Sequence, residues 1–227
     1  MTRPFILLVV AKAPVPGLAK TRLCPPATPA QAAEIAAAAL LDTLDAVCAV
    51  PGALPVVAMT GDLGAAARSA EIGAALRRST VIPQRGRDFG IRLANAHADA
   101  AAVHAGLPIL QIGMDTPQVT PESLAAAAAP VRHGSHDSVL GPAADGGWWA
   151  LGLAEPRHAQ VLADVPMSRD DTGERTLRAL AACGLQTRQA FQLSDVDTMV
   201  DARSVAAACP RGRFAHAVAV VGGQAVA

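Results

Sequence analysis

Apolar and polar positions follow two periods along this chain. Short, nearly uninterrupted apolar runs at 5–11, 54–60, 79–83, 107–113, 136–141, 147–153 and 186–191 predict strands covered on both faces. Between them, segments 28–48, 62–76, 88–104, 120–129, 170–182 and 201–208 carry their apolar residues at helical spacing. The first helix has an explicit start. Thr28 stands as N-cap before Pro29, and Gln31 closes a capping box. Leu40, Leu41, Leu44, Val47 and Cys48 then share one face, and Thr120-Pro121 opens a later helix in the same way. Alternating strands and helices predict an α/β fold: a single domain with a mixed, mostly parallel sheet flanked by helices. The mixing comes from 136–153, where two apolar runs flank Gly141-Pro-Ala-Ala-Asp-Gly-Gly147 and predict a hairpin. The domain is expected to span 1–208. The tail, 209–227, turns apolar again around Val218 to Val221 and is expected to add an edge strand or to be loosely held.

Composition narrows the function classes. With 52% hydrophobic and only 3% aromatic residues, the core must be aliphatic and Ala-rich. Nineteen Lys and Arg balance nineteen Asp and Glu, with no basic stripe and no interleaved aromatics, which argues against nucleic acid as a partner. Cys24, Cys48, Cys183 and Cys209 form no Cys-x-x-Cys pair. A zinc site or disulfide framework is therefore not expected, and scattered thiols fit a reducing cytoplasm. The run Phe5 to Ala11 is cut off by Lys12, too early for a membrane span, and no cleavage pattern precedes the next charge. A soluble, cytoplasmic protein with no membrane partner is expected.

Against zero net charge, the first 22 residues hold Arg3, Lys12, Lys20 and Arg22 and no acid. Residues 12–22, Lys-Ala-Pro-Val-Pro-Gly-Leu-Ala-Lys-Thr-Arg, directly follow a buried strand. An α/β sheet presents ligand-binding groups at that edge, and a local cationic excess there points to a phosphate-bearing ligand. Pro14 and Pro16 stiffen the loop, Gly17 lets backbone approach a ligand, and Lys20 and Arg22 can meet phosphate oxygens. The spacing is not that of a Walker A loop, since Gly17 lies three residues from Lys20 rather than five. In Gln111-Ile-Gly-Met-Asp115-Thr-Pro117, Asp115 sits just past another apolar strand. It can hold a divalent cation or simply form a turn before proline. Asp195, Asp197 and Asp201 fall within seven residues with no cation among them. Asp195 and Asp197 share a face of an extended segment and could complete a metal site with Asp115; Asp201 suits a helix N-terminus. Asp145-Gly146-Gly147-Trp148-Trp149 places both tryptophans of a chain without tyrosine beside a hairpin turn, so one can pack inward and one can line a pocket. Gln84-Arg85-Gly86-Arg87-Asp88 reads either as a second cationic loop touching a nucleotide, with Arg92 one helical turn on, or as a solvated loop with Asp88 as cap. His133, His136 and Asp137 read as a polar loop rather than a metal triplet. Ser168 to Glu174 reads as a lid or acceptor loop.

Taken in order, five segments resemble a known family. They are Lys12-x-Pro14-x-x-Gly17-x-x-Lys20-Thr21-Arg22-Leu23, Gln84-x-Gly86-x-x-x-Gly90-x-Arg92-Leu93, Gly113-x-Asp115-x-Pro117, Gly141-Pro142-x-x-Asp145-Gly146-Gly147 and Asp195-x-Asp197-Thr198. Over about residues 5 to 208 the chain resembles the radical-SAM/selenodomain-associated transferases, glycosyltransferase-like proteins of the GT-A nucleotide-diphosphosugar transferase fold. The resemblance implies a nucleotide-sugar donor, a small-molecule acceptor and a divalent metal, Mg²⁺ or Mn²⁺. Lys12, Pro14, Gly17, Lys20, Thr21, Arg22, Gln84, Arg85 and Gly86 are the expected nucleotide-binding residues. Asp115, Asp195 and Asp197 are the expected metal ligands. Asp145, Gly146, Gly147, Trp148 and Trp149 are expected to face the acceptor, with Asp145 and Lys20 as catalytic groups. Trp148-Trp149 stands where the family usually has a Tyr pair, and Met167-Ser168-Arg169 where many members have Trp-Ser-Thr. Related GT-A-like enzymes transfer nucleotidyl groups from a nucleoside triphosphate to a phosphorylated substrate, so that activity stays open beside glycosyl transfer, as does non-catalytic nucleotide binding.

Overall fold

The run Phe5–Ala11 is buried at every position, and its alternate residues feed two different cores. The computed structural model of the chain describes residues 3–223. In chain order its elements are β1 (Phe5–Lys12), α1 (Pro29–Cys48), β2 (Ala53–Thr60), α2 (Ser69–Leu76), β3 (Thr80–Pro83), α3 (Phe89–Val103), β4 (Ile109–Gly113), α4 (Pro121–Arg132), β5 (Ser138–Pro142), β6 (Trp148–Leu153), α5 (Thr172–Ala182), β7 (Thr187–Gln189), α6 (Met199–Ala208) and α7 (Arg213–Gly223). The strands form one sheet in the order β3-β2-β1-β4-β6-β5-β7. β6 runs antiparallel to its neighbours β4 and β5, and every other pairing is parallel. The expected single α/β domain with a mixed, mostly parallel sheet is the observed one, and the expected hairpin is β5–β6.

Period-two alternation divides β1 between the two sheet faces. Phe5, Leu7, Val9 and Ala11 pack with Leu40 and Leu44 of α1, Ile72 of α2 and Leu124 of α4. Ile6, Leu8 and Val10 pack with Leu93 and Ala96 of α3, Leu162 of a 3-10 segment at Pro156–Asp164, and Leu180 of α5. Each fully buried Leu or Ile contributes roughly 1.5–3 kcal/mol. A charge cannot be placed in this strand without losing much of the domain's stability. The Thr28–Gln31 capping box is present at the start of α1, and Thr120 caps α4 through Ser123.

α1 is sandwiched, which explains its alanine content. Its second face, with Ile35, Ala38 and Ala39, packs in a third core against Leu23, Val196, α6 and α7. The tail therefore differs from expectation. Residues 213–223 form a helix rather than an edge strand, because Phe214, Val218 and Val221 fall on one helical face against α1. Arg213 clamps it there through Asp42 and Asp45 at 3.0 and 2.7 Å. Residues 224–227 lie outside the described residues. The expected helix at 62–76 is also split. Arg68 adopts a left-handed conformation at φ 52, which separates a 3-10 turn at Leu63–Ala65 from α2. Among the described residues no helix is long and apolar enough to cross a membrane, and the cysteines are free.

One buried polar pair lies under the sheet's centre. His97 of α3 is fully buried, with Nε2 2.9 Å from Oε1 of Gln111 on β4, and among the described residues its Nδ1 has no partner. Burial lowers the His97 pKa to about 4, against a partial offset from Gln111. The unfolded chain takes up this proton near pH 6.5. Between pH 6.5 and 4 the unfolded state binds more protons, so stability falls as pH falls through that window. At about 1.4 kcal/mol per unit the loss reaches about 3 kcal/mol by pH 4. Urea unfolding of wild type and His97→Gln across pH 4–7.5 is expected to show this downward slope in wild type and a flatter profile in the variant.

Candidate functional site

Side chains that leave the carboxyl ends of β1 and β4 converge with a turn and a late extended segment on one open cavity of about 950 Å³. This is the edge at which open α/β sheets take ligands, and the volume suits a nucleotide-sized molecule. Lys12, Lys20, Arg22, Gln84, Asp115, Asp145, Gly147, Trp148, Trp149, Asp195 and Asp197 all line it.

At its centre Lys20 Nζ lies 2.5 Å from Asp115 Oδ2 and 3.6 Å from Asp197 Oδ1, and it donates to the Val196 carbonyl. Arg22 reaches Asp197 Oδ2 at 3.0 Å. The loop that delivers these cations is pinned by apolar packing. Leu23, one residue beyond Arg22 in the turn Thr21–Leu23, is fully buried in the same core as Val196. Asp195 and Asp197 flank that buried valine and both reach the cavity, as an extended segment requires. Three tethers hold the segment. Gln118 Nε2 donates to Ser194 O at 2.7 Å, Ala144 N to Leu193 O at 2.9 Å, and Leu193 N to Pro142 O at 3.2 Å. Asp201 does not join the site. It closes the capping box of α6 with Thr198.

The electrostatics follow from this crowding. Burial opposes charge on Lys20, but Asp115, then Asp197 and Asp195, outweigh it and hold the ammonium above the usual lysine range. Lys20 sits in the left-handed region at φ 47, a conformation a non-glycine residue keeps only when its surroundings dictate it. Among the described residues Asp195 has no ion-pair partner. Burial, and then the Asp115 and Asp145 carboxylates, push its pKa up to about 7, with Lys20 opposing.

Expected site residues divide into those that reach the cavity and those that do not. Among the nucleotide-binding candidates, Lys12, Lys20, Arg22 and Gln84 line it, whereas Pro14, Gly17, Thr21, Arg85 and Gly86 do not. Pro14 is buried, and its carbonyl accepts from Ala67 N at 3.0 Å. Arg85 is turned onto α3, where Asp99 takes it in a fork at 2.8 and 2.6 Å. Asp88 caps α3 through Ile91 N at 2.9 Å, so the capping alternative for this loop holds. Gln84 spends its amide on Ala11 O and Ala58 O at 2.8 and 2.9 Å, stitching the ends of β1 and β2. Asp115, Asp195 and Asp197 converge, but around the Lys20 ammonium. Among the described residues no three His, Cys, Asp or Glu side chains form a ready metal-binding group. His136 bonds Ser135 and Asp137 accepts from Gln186 N, so the polar-loop reading of 133–137 stands.

The hairpin turn is shaped by two close approaches. Gly141 lies under the Trp149 indole, where a Cβ would come within 2.5 Å of Nε1. That nitrogen donates to Phe191 O at 2.9 Å, so Trp149, 2% exposed, is a wall rather than a contact surface. Gly146, at φ +87, abuts the Asp170 carbonyl and leaves no room for a side chain. Gly146 thus backs the cavity without lining it, while Trp148, half-buried, lines it with Nε1 on Thr176 at 3.2 Å. Asp145 is exposed, with Oδ1 accepting from Gly147 N at 2.8 Å. The loop Met167–Asp170 completes one rim and Phe89 another. The first of these overlaps the segment 168–174 that the sequence offers as a lid or acceptor loop, whereas the spacing does not single out Phe89. Phe89, one of four phenylalanines, opening a helix at this sheet edge, was the available signal.

A family model described as an uncharacterised protein conserved in bacteria (DUF2064) matches residues 43–169, more than half of the chain. A search of curated proteins by sequence finds no match. Among solved structures, a protein of Desulfovibrio desulfuricans G20 provisionally assigned as a nucleotide-diphospho-sugar transferase superposes with a TM-score of 0.82 at 22% identity, over 96% of this chain and 95% of that one. CMP:2-keto-3-deoxy-manno-octonic acid synthetase complexed with CTP gives 0.56 at 12% identity, over 92% and 99%. Rv0371c of Mycobacterium tuberculosis H37Rv in complex with manganese gives 0.50 at 18% identity, over 90% and 98%. At these identities the likeness establishes the fold, that of nucleotide-diphosphosugar transferases and nucleotidylyltransferases. Neither the family model nor these three structures carries a radical-SAM association.

The unpaired Asp195 generates a pH signature of its own. Its folded pKa of about 7 lies above the unfolded value near 3.9. The folded state therefore binds more protons between pH 4 and 7, and this group makes stability fall as pH rises through that window. Asp195→Asn is expected to raise Tm at pH 8 and to leave it unchanged near pH 4. Partial solvation keeps the gain to about 1 kcal/mol, or roughly 2–4 °C. Thermal melts at the two pH values read it directly.

Proposed function

The chain belongs to the DUF2064 family, and from the geometry of its cavity we propose that it is a metal-assisted transferase, moving a sugar from a nucleotide-sugar donor to a small-molecule acceptor. The observation that carries this reading is the Lys20–Asp115 contact at 2.5 Å, which joins two segments 95 residues apart inside one nucleotide-sized cavity. The donor set suits a hard divalent cation. Asp115, Asp195 and Asp197 offer carboxylate oxygens, and one or two such ligands suffice when substrate phosphates supply the rest. Mg²⁺ or Mn²⁺ held by these three would offset the negative charge of the donor diphosphate. Lys20 and Arg22, released from the carboxylates, turn toward the leaving nucleotide and stabilise charge as it develops. Asp145, exposed at the turn and with Oδ2 uncommitted to Gly147, takes the proton of an acceptor hydroxyl. Gly147 and Trp148 face the acceptor, and Trp149 supports them from behind.

Transfer of a nucleotidyl group from a nucleoside triphosphate to a phosphorylated substrate is the second reading. It is favoured by the fold shared with the CTP-bound synthetase over 92% of this chain. The same cations would grip the triphosphate.

One set of measurements separates these readings. Thermal shift and calorimetry with nucleoside diphosphates, triphosphates and nucleotide sugars, with and without Mn²⁺, are expected to show metal-dependent binding. A ligand at a hundred times its Kd adds about 2.7 kcal/mol to stability. Asp115→Asn is expected to lose the metal-dependent part and to lower turnover by about 100-fold or more. Release of a nucleoside diphosphate from a nucleotide sugar selects glycosyl transfer, and release of pyrophosphate selects nucleotidyl transfer. Binding indifferent to metal and to Asp115→Asn, with no turnover of any donor, would leave a non-catalytic nucleotide-binding protein.

A further inference from the structure

The cavity is electrically divided along the sheet. Of its five carboxylates, Asp170 stands on the far-rim loop before α5, and the other four, Asp115, Asp145, Asp195 and Asp197, come from the β4 end, the β5–β6 turn and the segment after β7. All of these lie on one side of β1 in the strand order. The half built on β1, β2 and the β3–α3 junction contributes no acid to the lining, but it contributes Lys12 and Arg92. The loop cations Lys20 and Arg22 cross into the acidic half and are neutralised there by Asp115 and Asp197. Arg169, on the far rim, is neutralised by Asp171 at 3.1 Å. Among the described residues Lys12 and Arg92 are the two cavity-lining cations that meet no carboxylate. Lys12 Nζ donates to the Leu18 carbonyl at 2.8 Å. Arg92 makes one long contact, Nε to Asp88 O at 3.4 Å.

Arg92 is also placed rather than merely solvated. Its guanidinium carbon lies 5.8 Å from the centre of the Phe89 ring, and that ring, 42% exposed, itself lines the cavity. A cation–π contact at this distance helps to orient a planar cation, and its N–H groups can still take an oxyanion in a fork. Lys12, at the end of a fully buried strand, supplies a second positive charge from a fixed backbone position.

We propose that Lys12 and Arg92 form an anion subsite, separate from the carboxylate cluster, that holds a phosphate or carboxylate group of a ligand without help from metal. In the frame of the proposed function, on which this identification of the ligand rests, the anion is either the terminal phosphate of the nucleotide or an acidic group on the second substrate. The subsite makes the cavity bipolar: a cation-seeking end at Asp115 and an anion-seeking end at Arg92. A substrate with two anionic groups is then bound in one orientation, since only one end tolerates an anion unescorted by a cation.

The test uses the full chain, a chelator and inorganic pyrophosphate as probe, read by calorimetry at low and high salt. Wild type is expected to bind pyrophosphate without metal, more weakly as salt rises. Arg92→Met and Lys12→Met are each expected to weaken it by about tenfold or more, the worth of one charge-assisted hydrogen bond. Arg85→Met, whose guanidinium is committed to Asp99 outside the cavity, is the control and should bind as wild type does. Two arms identify the source. A triphosphate-over-diphosphate preference that Arg92→Met erases assigns the subsite to the nucleotide. Unchanged nucleotide binding with loss of glycerol phosphate binding in Arg92→Met assigns it to the second substrate. Absence of metal-free pyrophosphate binding, or binding as tight as wild type in both variants, overturns the subsite. That result would leave Mn²⁺-dependent nucleotide binding through Asp115 untouched. Conversely, pyrophosphate binding through Arg92 in a protein that takes no nucleotide would sustain the subsite and remove the transferase reading.

Discussion

Because β1 is covered on both faces, this chain can place charge along its central strand only beyond the strand's end. Phe5, Leu7 and Val9 face one core and Ile6, Leu8 and Val10 the other, so the first polar group the strand can carry is Lys12. β4 meets the same constraint and releases its first acid at Asp115. The two strands are parallel neighbours, so both discharge their polar residues on the same rim. The charged cavity is in this sense a consequence of burying the sheet. Unpaired charge is too costly to leave within it, and the edge is where solvent first becomes available.

The charges on that rim neutralise one another. Lys20, in a left-handed backbone conformation, is drawn into Asp115 and Asp197, which hold its pKa raised despite burial. The packing that permits this is apolar and remote from the charges. Leu23 and Val196 share a core with α1, α6 and α7, and so bring the loop and the acidic segment together from opposite ends of the chain. Helix α7 thus bears on the site without touching it, by supporting the helix against which both anchors pack. Among the described residues Asp195 meets no cation, and burial beside the Asp115 and Asp145 carboxylates holds its pKa up.

Three kinds of residue are easily confused when motifs are read as a string. Lys20, Arg22, Asp115 and Asp197 carry charge into the cavity. Gln84, Gly141, Gly146 and Trp149 belong to the same motifs but build its walls, through amide bonds to two strands or through backbone–indole and backbone–backbone approaches. Arg85 and Asp88 serve α3, one as a surface ion pair and one as a cap. Residue type and spacing cannot separate these classes, since a glycine that admits a ligand and a glycine that admits a tryptophan look alike.

By itself, the sequence determined the periodic elements. Period-two burial and capping boxes are local, so the strands, the hairpin, the starts of α1 and α4, and hence the α/β class could be read directly. It also determined which acids and bases would crowd one edge, because their place after apolar runs is local too. Tertiary structure alone decided the rest. It turned 213–223 into a helix, since the choice between helix and edge strand depended on whether α1 offered a free face. It bent 62–76 at Arg68, sent Arg85 outward to Asp99, and paired Lys20 with Asp115 rather than leaving each for a ligand. The partners of Arg85, Lys20 and the tail helix meet across 14 to 172 residues of chain, and no local pattern encodes a partner at that separation.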